Sequence, residues 1–233
     1  MPDDIARAKT AAARRAVERV RPDLRLALGT GSTAAEAVRA LAERFPGAAI
    51  DCVASSKATE ELARSLGIPV RSLRADDRFD LMLDGADEVD PAFDLTKGGG
   101  GALLREKLLA RLSREQIILV DPTKLVRHLG ERSPIPVEVV PFARPVLERK
   151  FSTDGWEVRH RLGPNGRPYL TDNGNEILDL RPTRPIEDAA RAARDLGAPT
   201  GVVETGIFVG LATTVIVGYP DGRSEELARR VPH

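Results

Sequence analysis

The sequence predicts an α/β fold, in which a Rossmann-like parallel-sheet main domain carries an inserted ferredoxin-like α+β small domain. Up to about His128, short apolar runs alternate with segments of helical composition, which is the pattern of strands joined by helices in a parallel sheet. Beyond His128 prolines punctuate the chain, and the order of elements becomes β-α-β-β-α-β, as in a ferredoxin-like module. The predicted main domain comprises residues 1–132 and 208–233, and the small domain residues 133–207.

The elements of the main domain follow from apolar runs and from the glycines and prolines that end them. Ile5 to Val20 has helical composition, and the run Leu24 to Leu28 stops at Gly29, as a buried strand does. The elements predicted next are a helix from Thr33 to Arg44, a strand from Ala48 to Ala54, a helix from Lys57 to Leu66, strands from Pro69 to Leu73 and from Asp80 to Leu83, a helix from Ala102 to Leu112 and a strand from Gln116 to Val120.

The small domain is predicted from shorter segments. In chain order they are a strand from Val137 to Val140, a helix from Val146 to Phe151, a strand from Trp156 to His160, a turn at Thr171 to Gly174, a strand from Glu176 to Leu180, a helix from Ile186 to Leu196 and a strand from Val202 to Phe208. The last apolar run, Thr214 to Val217, is expected to return to the large sheet.

Composition narrows the class of protein. Hydrophobic residues make up 42% of the 233 residues and charged residues 30%, which is enough apolar material for a sizeable core. The 35 basic residues balance the 35 acidic ones, so we expect no nucleic-acid partner. The single cysteine, Cys52, excludes an intramolecular disulfide. The N-terminus lacks the features of a signal peptide and no apolar run reaches about 18 residues, so we expect a cytoplasmic protein with no membrane partner.

The first stretch that could carry chemistry is Gly29-Thr30-Gly31-Ser32-Thr33, between a predicted strand and a predicted helix. Free backbone N–H groups and the helix dipole at such a place favour an anion, and phosphate is the natural one. The loop also matches G-x-G-x-x-A through Ala34, with Asp51 roughly 20 residues further on, as in a dinucleotide site. That acidic residue should end its strand, whereas apolar residues follow Asp51. A phosphate cradle, a structural turn and a dinucleotide site are the alternatives.

The second stretch is Asp84-Gly85-Ala86-Asp87-Glu88-Val89-Asp90, which follows an apolar run. Clustered carboxylates repel one another, and a cation, a hydrogen-bonded substrate or solvent must relieve that repulsion. The three histidines, His128, His160 and His233, are distant in sequence, which argues against a metal site, but Mg²⁺ held by oxygens alone stays open. A solvated acidic turn closed by Pro91 is the alternative without function.

The third stretch is Lys97-Gly98-Gly99-Gly100-Gly101, which precedes the predicted helix from Ala102. Four successive glycines weaken folding entropically, so they indicate close approach by a ligand or positive φ angles; a linker is the alternative. On a helical wheel the leucines at 103, 104, 108, 109 and 112 share one broad face and Glu106 points nearly opposite. The wheel alone predicts an exposed glutamate. Its position in the first turns of a helix that opens at the presumed ligand cleft makes Glu106 a catalytic candidate.

Taken in order, these stretches closely resemble the A-type ribose-5-phosphate isomerases. The residues that carry the resemblance are Gly29 to Thr33, Ser55-Ser56-Lys57-Ala58-Thr59, Asp84 to Glu88, and Lys97 to Gly100 followed by Arg105-Glu106-Lys107. It continues through Asp121 to Lys124, Pro134 to Val139, Thr171 to Asn175 and Gly201 to Gly206, and so covers nearly the whole chain. There are two departures from the family pattern: Gly101 stands where alanine is common, and Glu176 stands at a variable position.

The resemblance implies an enzyme that interconverts D-ribose 5-phosphate and D-ribulose 5-phosphate by metal-free proton transfer through a cis-enediol or enediolate. It implies Glu106 as the general base, with Asp84, Asp87 and Lys97 as further catalytic groups. The implied substrate-binding residues are Thr30, Gly31, Ser32, Thr33, Asp84, Gly85, Ala86, Asp87, Lys97, Gly98, Gly99, Gly100 and Lys124, and Lys9 is a further candidate to hold phosphate. No cofactor or metal is implied, and the expected assembly is a homodimer or homotetramer with contacts through the small domain.

Two other functions fit parts of the pattern. A non-catalytic sugar-phosphate sensor would couple a related ligand domain to a DNA-binding module, but only about two dozen residues precede the first predicted strand, too few for that module. A dehydrogenase would leave the acidic and tetraglycine stretches unexplained. Residue types alone do not separate ribose 5-phosphate from other aldose phosphates.

Overall fold

The structure, a computed structural model, describes residues 2–47 and 50–227. Contacts between Cα atoms divide the chain into two units. The first comprises Met1–Ala86, Arg105–Leu125 and Leu211–His233, and the second comprises Asp87–Leu104 and Val126–Gly210. The predicted bounds of the small domain, residues 133–207, stay a prediction, since the second unit also contains the segment with Asp87 and the tetraglycine.

Helices and strands alternate along the described residues. In chain order they are α1 (Pro2–Val17), β1 (Arg25–Leu28), α2 (Ser32–Arg44), β2 (Asp51–Ala54), α3 (Lys57–Ser65), β3 (Phe79–Gly85), β4 (Glu88–Val89), β5 (Leu95–Thr96), α4 (Leu103–Leu112), β6 (Ser113–Val120), β7 (Ile135–Val139), α5 (Arg144–Thr153), β8 (Trp156–His160), β9 (Glu176–Pro182), α6 (Ala189–Gly197), β10 (Val202–Thr205), β11 (Ile207–Phe208), β12 (Thr214–Gly218) and β13 (Ser224–Leu227). Short 3₁₀ helices cover Pro122–Lys124 and Pro141–Ala143.

The first unit is built on a six-stranded sheet in the order β13-β12-β6-β3-β1-β2. All neighbouring strands are parallel except the antiparallel edge strand β13. The predicted parallel sheet is therefore confirmed, including the return of the run at Thr214 to it. After β1 the chain adds β2 on one side, whereas β3, β6 and β12 lie on the other. The strand order thus reverses between β1 and β3, and open α/β sheets bind ligands beside such a reversal.

The core of the first unit forms because its strands are continuously apolar and are covered by helices. Leu26, Leu83 and Ile117 are each at most 1% exposed. Helix α1 presents a stripe of small residues, including Ala8 and Ala12, and packs directly on β12. A Cβ atom on Gly218 would lie 1.9 Å from the carbonyl oxygen of Ala8, so the helix and the strand backbone touch at this glycine.

The second unit contains a four-stranded antiparallel sheet in the order β10-β7-β9-β8. Helices α5 and α6 also lie in this unit. The chain order β7-α5-β8-β9-α6-β10 is the predicted ferredoxin-like order, so this part of the fold is also confirmed. Its apolar core includes Val137, Leu147, Phe151, Leu178 and Leu196. A separate three-stranded sheet, in the order β11-β5-β4, was not predicted.

Two predicted strands are wrong. The segment Pro69 to Leu73 forms only an isolated bridge between Cys52 and Val70, and Leu73 is 40% exposed, so its apolar residues do not extend the sheet. The predicted strand Val202 to Phe208 is divided between β10 and β11, which belong to different sheets. The division falls at Gly206, where a Cβ atom would lie 2.4 Å from the Lys97 carbonyl oxygen. The predicted start of the second strand at Ala48 lies outside the described residues.

Candidate active site

The loop between β1 and α2 lies at the carboxyl edge of the parallel sheet. Gly31 is the N-cap of α2, with φ of 99°. The hydroxyls of Thr30 and Ser55 are 2.6 Å apart, and the Thr59 hydroxyl donates to the Gly29 carbonyl at 2.8 Å. Because the first N–H groups of a helix have no partner within it, this loop offers an ordered place for an anion in front of α2.

Asp84 ends the neighbouring strand β3 and is fully buried. Its Oδ1 accepts hydrogen bonds from the N–H of Gly85 at 2.8 Å and the N–H of Thr30 at 3.2 Å. A Cβ atom on Gly29 would lie 1.9 Å from that oxygen, so only glycine fits beside this carboxylate. The predicted Gly29 to Thr33 loop and the start of the predicted acidic stretch therefore meet within the first unit.

Two lysines of the first unit were candidates to hold phosphate. The Lys9 ammonium donates to the Ser32 hydroxyl at 2.8 Å, which places it at the first turn of α2. Lys124 lies in the 3₁₀ helix that follows β6, the strand next to β3, and this turn begins where Asp121 accepts from the Thr123 N–H at 2.9 Å. Lys9 thus contacts the first turn of α2, and Lys124 follows a strand of the parallel sheet; that they hold phosphate stays a prediction.

The carboxylates that follow Asp84 in the acidic stretch have different hydrogen-bond partners. In the second unit, Asp87 accepts from the Gly99 N–H at 2.8 Å. Glu88 is fully buried and accepts from the N–H groups of Gly130, Arg132 and Ser133, at 2.6, 2.6 and 2.7 Å. Glu88 is therefore a structural anchor for the chain ahead of β7, because backbone donors surround its carboxylate.

Asp90 closes the turn between β4 and β5. It accepts from the N–H groups of Ala92 and Asp94, both at 2.9 Å, and burial raises its pKa. The solvated acidic turn is therefore wrong for Asp84 and Glu88, which are fully buried, and Asp90 is itself half-buried in a hydrogen-bonded turn. Among residues 2–47 and 50–227, no group of three His, Cys, Asp or Glu side chains is arranged to hold a metal ion.

The tetraglycine follows β5 and is held on several sides within the second unit. Lys97 is 2% exposed, its N–H donates to the Gly206 carbonyl at 2.8 Å, and its ammonium lies 5.6 Å from the centre of the Phe208 ring. Gly98 has φ of 104°, and a Cβ atom on Gly99 would lie 2.7 Å from Asp87 Oδ1. Gly98 is therefore required by its backbone conformation and Gly99 by close packing, and the linker alternative is wrong.

Glu106 lies in the first turn of α4 and is only 3% exposed. The helical wheel predicted the opposite, with Leu108 on the buried face, yet Leu108 is 45% exposed. The buried stripe runs through Leu103, Glu106, Lys107 and Ala110, at helical spacing. Two charged residues, Glu106 and Lys107, thus lie on the buried face of this helix together with Leu103 and Leu109.

The dinucleotide alternative fails on the position of Asp51. This residue begins β2, paired in register with Arg25, and so lies at the amino end of the sheet, away from the Gly29 to Thr33 loop. Its carboxylate binds Arg71, which also binds Asp77 through two bonds of 2.7 and 2.8 Å. Asp51 is therefore part of a structural ion-pair network.

Some residues of the site were not among the predicted site residues. Ser55 and Thr59 bind the loop after β1, and their signal was the Ser55 to Thr59 stretch that contributed to the family resemblance. In the second unit, Arg161 donates to the carbonyls of Gly98 and Gly99, and Tyr169 donates to that of Gly100. No local pattern marks these two residues.

Comparison with known proteins shows the family to which this chain belongs. Residues 51–222 match the family model for ribose 5-phosphate isomerase A, also called phosphoriboisomerase A. A ribose-5-phosphate isomerase A from Chloroflexus aurantiacus is 46% identical over 217 residues, which cover 92% of this chain and 90% of that protein.

Solved structures show the same similarity. Ribose 5-phosphate isomerase A from Methanocaldococcus jannaschii is 39% identical, with a TM-score of 0.86 over 94% of this chain and 97% of that one. A D-ribose-5-phosphate isomerase in complex with phospho-erythronic acid is 37% identical, with a TM-score of 0.89 over 95% of this chain and 97% of that one. This chain therefore belongs to the ribose 5-phosphate isomerase A family.

Proposed function

We propose that this chain interconverts D-ribose 5-phosphate and D-ribulose 5-phosphate by metal-free proton transfer, with Glu106 as the general base. The Glu106 carboxylate takes the C2 proton of the open-chain aldose to give a cis-enediolate and returns a proton to C1. The C2 hydroxyl loses its proton and O1 gains one, so the reaction balances without an oxidant or reductant.

The observation that carries this proposal is the burial of Glu106. Glutamate is among the residues least often buried, because removing a carboxylate from water is costly. At 3% exposure on α4, directly after the glycine loop, Glu106 is placed where sequence periodicity predicts an exposed residue. A carboxylate that is buried at such a position is a candidate for a functional role, because it does not serve the solubility of the surface.

The remaining roles follow from chemistry. An enediolate needs donors for its developing charge, and Lys97 with the N–H groups of Gly98 and Gly100 supplies them, since the Gly99 N–H donates to Asp87. Losing one such donor typically costs about 3 to 4 kcal/mol. Asp84 and Asp87 accept hydrogen bonds and suit the opening of the furanose ring and the holding of its hydroxyls. The phosphate end of the substrate is bound by the Thr30 hydroxyl, by the N–H groups and hydroxyls from Gly31 to Thr33, and by Lys124 and Lys9. Gly85 and Ala86 line the substrate beside Asp84.

The test is an assay of ribulose 5-phosphate formation after EDTA treatment, comparing the parent protein with Glu106→Gln. The variant keeps the shape and removes the base, so we expect activity to fall by about 10² to 10⁴. Glu115→Gln, an exposed glutamate on β6, is the matched control and should keep the parent activity. Parent protein that binds the sugar phosphate without turnover would favour the sensor, and activity lost with EDTA would favour a metal at the Asp84 stretch.

We also propose a homodimer or homotetramer assembled through the second unit. Phe142 is 95% exposed and Val146 is 72% exposed, and side chains of this size on one short segment favour burial against another copy. Light scattering on the eluting protein should give the mass of two or four chains. A mass of one chain at micromolar concentration would contradict this.

A further inference from the structure

In the second unit, an ion pair at the end of β8 contacts the glycine loop. The Arg161 guanidinium binds Asp179 of β9 through both carboxylate oxygens: its Nε lies 2.9 Å from Oδ2, and its Nη2 binds Oδ1. The two side chains are 14% and 15% exposed. Two parallel bonds fix the plane of a guanidinium, so Asp179 sets the direction in which the remaining Arg161 donors point.

Those remaining donors reach the loop that carries the proposed oxyanion donors. Arg161 Nη1 lies 2.9 Å from the Gly98 carbonyl oxygen and 3.1 Å from that of Gly99. The next carbonyl, that of Gly100, accepts from the Tyr169 hydroxyl at 3.2 Å. Three consecutive glycine carbonyls are thus held from one side by two side chains. Glycines have the greatest backbone freedom to lose, so this loop depends on outside contacts for a single conformation.

Arg161 and Tyr169 are themselves fixed to each other. The Tyr169 N–H donates to the Arg161 carbonyl at 3.0 Å, and the guanidinium lies 5.9 Å from the centre of the Tyr169 ring. The ring also fills the space beside Gly101, where a Cβ atom would lie 2.2 Å from the phenol oxygen. Gly101, one of the two departures from the family pattern, therefore matches the tyrosine that packs on it.

The contact continues to a proposed catalytic group. The peptide unit whose carbonyl accepts from Arg161 ends in the Gly99 N–H, which donates to Asp87 at 2.8 Å. A continuous series of hydrogen bonds therefore links Asp179 to the Asp87 carboxylate, through Arg161 and the peptide between Gly98 and Gly99. A cation on the carbonyl side polarises the peptide and strengthens the bond that its N–H donates, so Arg161 acts on Asp87 as well as on the loop.

We propose that Arg161, oriented by Asp179 and assisted by Tyr169, is a positioning residue that holds the Gly98 to Gly100 loop and Asp87 in their reactive arrangement. This rests on the proposed function for the roles of the loop and of Asp87. The clamp itself, defined as Arg161, Asp179 and Tyr169, is a property of the free protein and is measurable without substrate.

The experiment compares the parent with Arg161→Gln, Tyr169→Phe and the control Arg167→Gln. Arg167 is an exposed arginine on the same connection between β8 and β9, so the control removes the same charge. Each protein is measured for kcat and KM with ribose 5-phosphate, for amide hydrogen exchange in the segment 95–104 without substrate, and for thermal unfolding. Displacement of reacting groups by about 1 Å costs on the order of 10²-fold.

For Arg161→Gln we expect kcat to fall by about 10- to 100-fold, with KM changed by less than about 3-fold, at temperatures where the variant is folded. Exchange should become faster in the segment 95–104 while β7 and β9 keep their protection. Tyr169→Phe, which loses one neutral bond, should show the same changes to a smaller extent, and Arg167→Gln neither.

Unchanged exchange in Arg161→Gln would overturn the clamp. Faster exchange with parental kcat would overturn its positioning role. If exchange becomes faster in every strand of the second unit, Arg161 serves stability alone and the proposal is again wrong. These results are separate from the test of the base, because a fully active Glu106→Gln protein would refute the proposed mechanism whatever the exchange data give.

Discussion

Replacing Asp77 with asparagine tests the electrostatic part of the fold. Asp77 is 5% exposed and accepts from Arg71 through both oxygens and from the Arg74 N–H at 2.7 Å. The hydrogen bonds from the Arg71 guanidinium lower the pKa of Asp77 from 3.8 to about 2. The change keeps the size of the side chain and removes the charge that this pair depends on.

The magnitude follows from that pKa. A shift of about two units corresponds to about 2.5 kcal/mol at 1.36 kcal/mol per unit. The Arg71 side chain is 23% exposed, and solvent screening of the pair reduces the expected contribution to about 1 to 2 kcal/mol. Because the folded pKa lies below the unfolded one, this stability is present above about pH 4, falls to about half at pH 3 and is lost below pH 2.

The assay is urea unfolding at pH 7, 5, 4 and 3 for the parent, Asp77→Asn and the control Asp76→Asn. Asp76 is the exposed neighbour and loses the same charge. We expect Asp77→Asn to be less stable than the parent by about 1 to 2 kcal/mol at pH 7 and by about half as much at pH 3. A difference that does not depend on pH, or an equal loss in the control, would refute the reasoning.

Two further predictions concern close packing and a buried carboxylate. Gly29→Ala places a Cβ atom within 1.9 Å of Asp84 Oδ1, so the carboxylate must move, and we expect kcat/KM to fall by about 10² or more in protein whose circular dichroism is unchanged. Gly163→Ala, whose Cβ would meet its nearest atom at 3.5 Å, is the control, and equal activity of the two variants would contradict the prediction. Glu88→Gln turns an amide NH₂ toward backbone N–H donors and should lower the free energy of unfolding by about 3 kcal/mol. Thermal or urea denaturation measures this loss. An unchanged midpoint would show that Glu88 is not an anchor.

The fold was predictable where local pattern and global structure agree. The apolar runs that became β1, β3, β6 and β12 are buried on both faces and bounded by glycine or polar residues, so their length and composition identify them. Strand β13 was missed because Ser224 to Leu227 is polar and largely exposed, as edge strands commonly are. Strands β4 and β5 have two residues each, which is too short for any periodicity.

The part of the candidate site that lies at the ends of strands and helices was predictable. Asp84, Lys124 and the loop at Gly31 follow strands, and their residue types indicate anion and hydroxyl binding. Glu106 was assigned through resemblance, because its helical wheel predicts an exposed residue. Arg161 could not be assigned at all, since its role comes from a loop about 60 residues away in the chain and no spacing rule connects the two.

The packing of α1 on β12 ties the beginning of the chain to its final strands. A ribosome releases α1 and β6 long before Thr214 to Gly218, and until then the buried face of the helix and the hydrogen-bonding edge of β6 both lack their cover. Open sheet edges and apolar helix faces are the surfaces through which nascent chains associate. Completion of the large sheet therefore has to await β12, and truncation before β12 is expected to yield an insoluble product rather than a smaller enzyme.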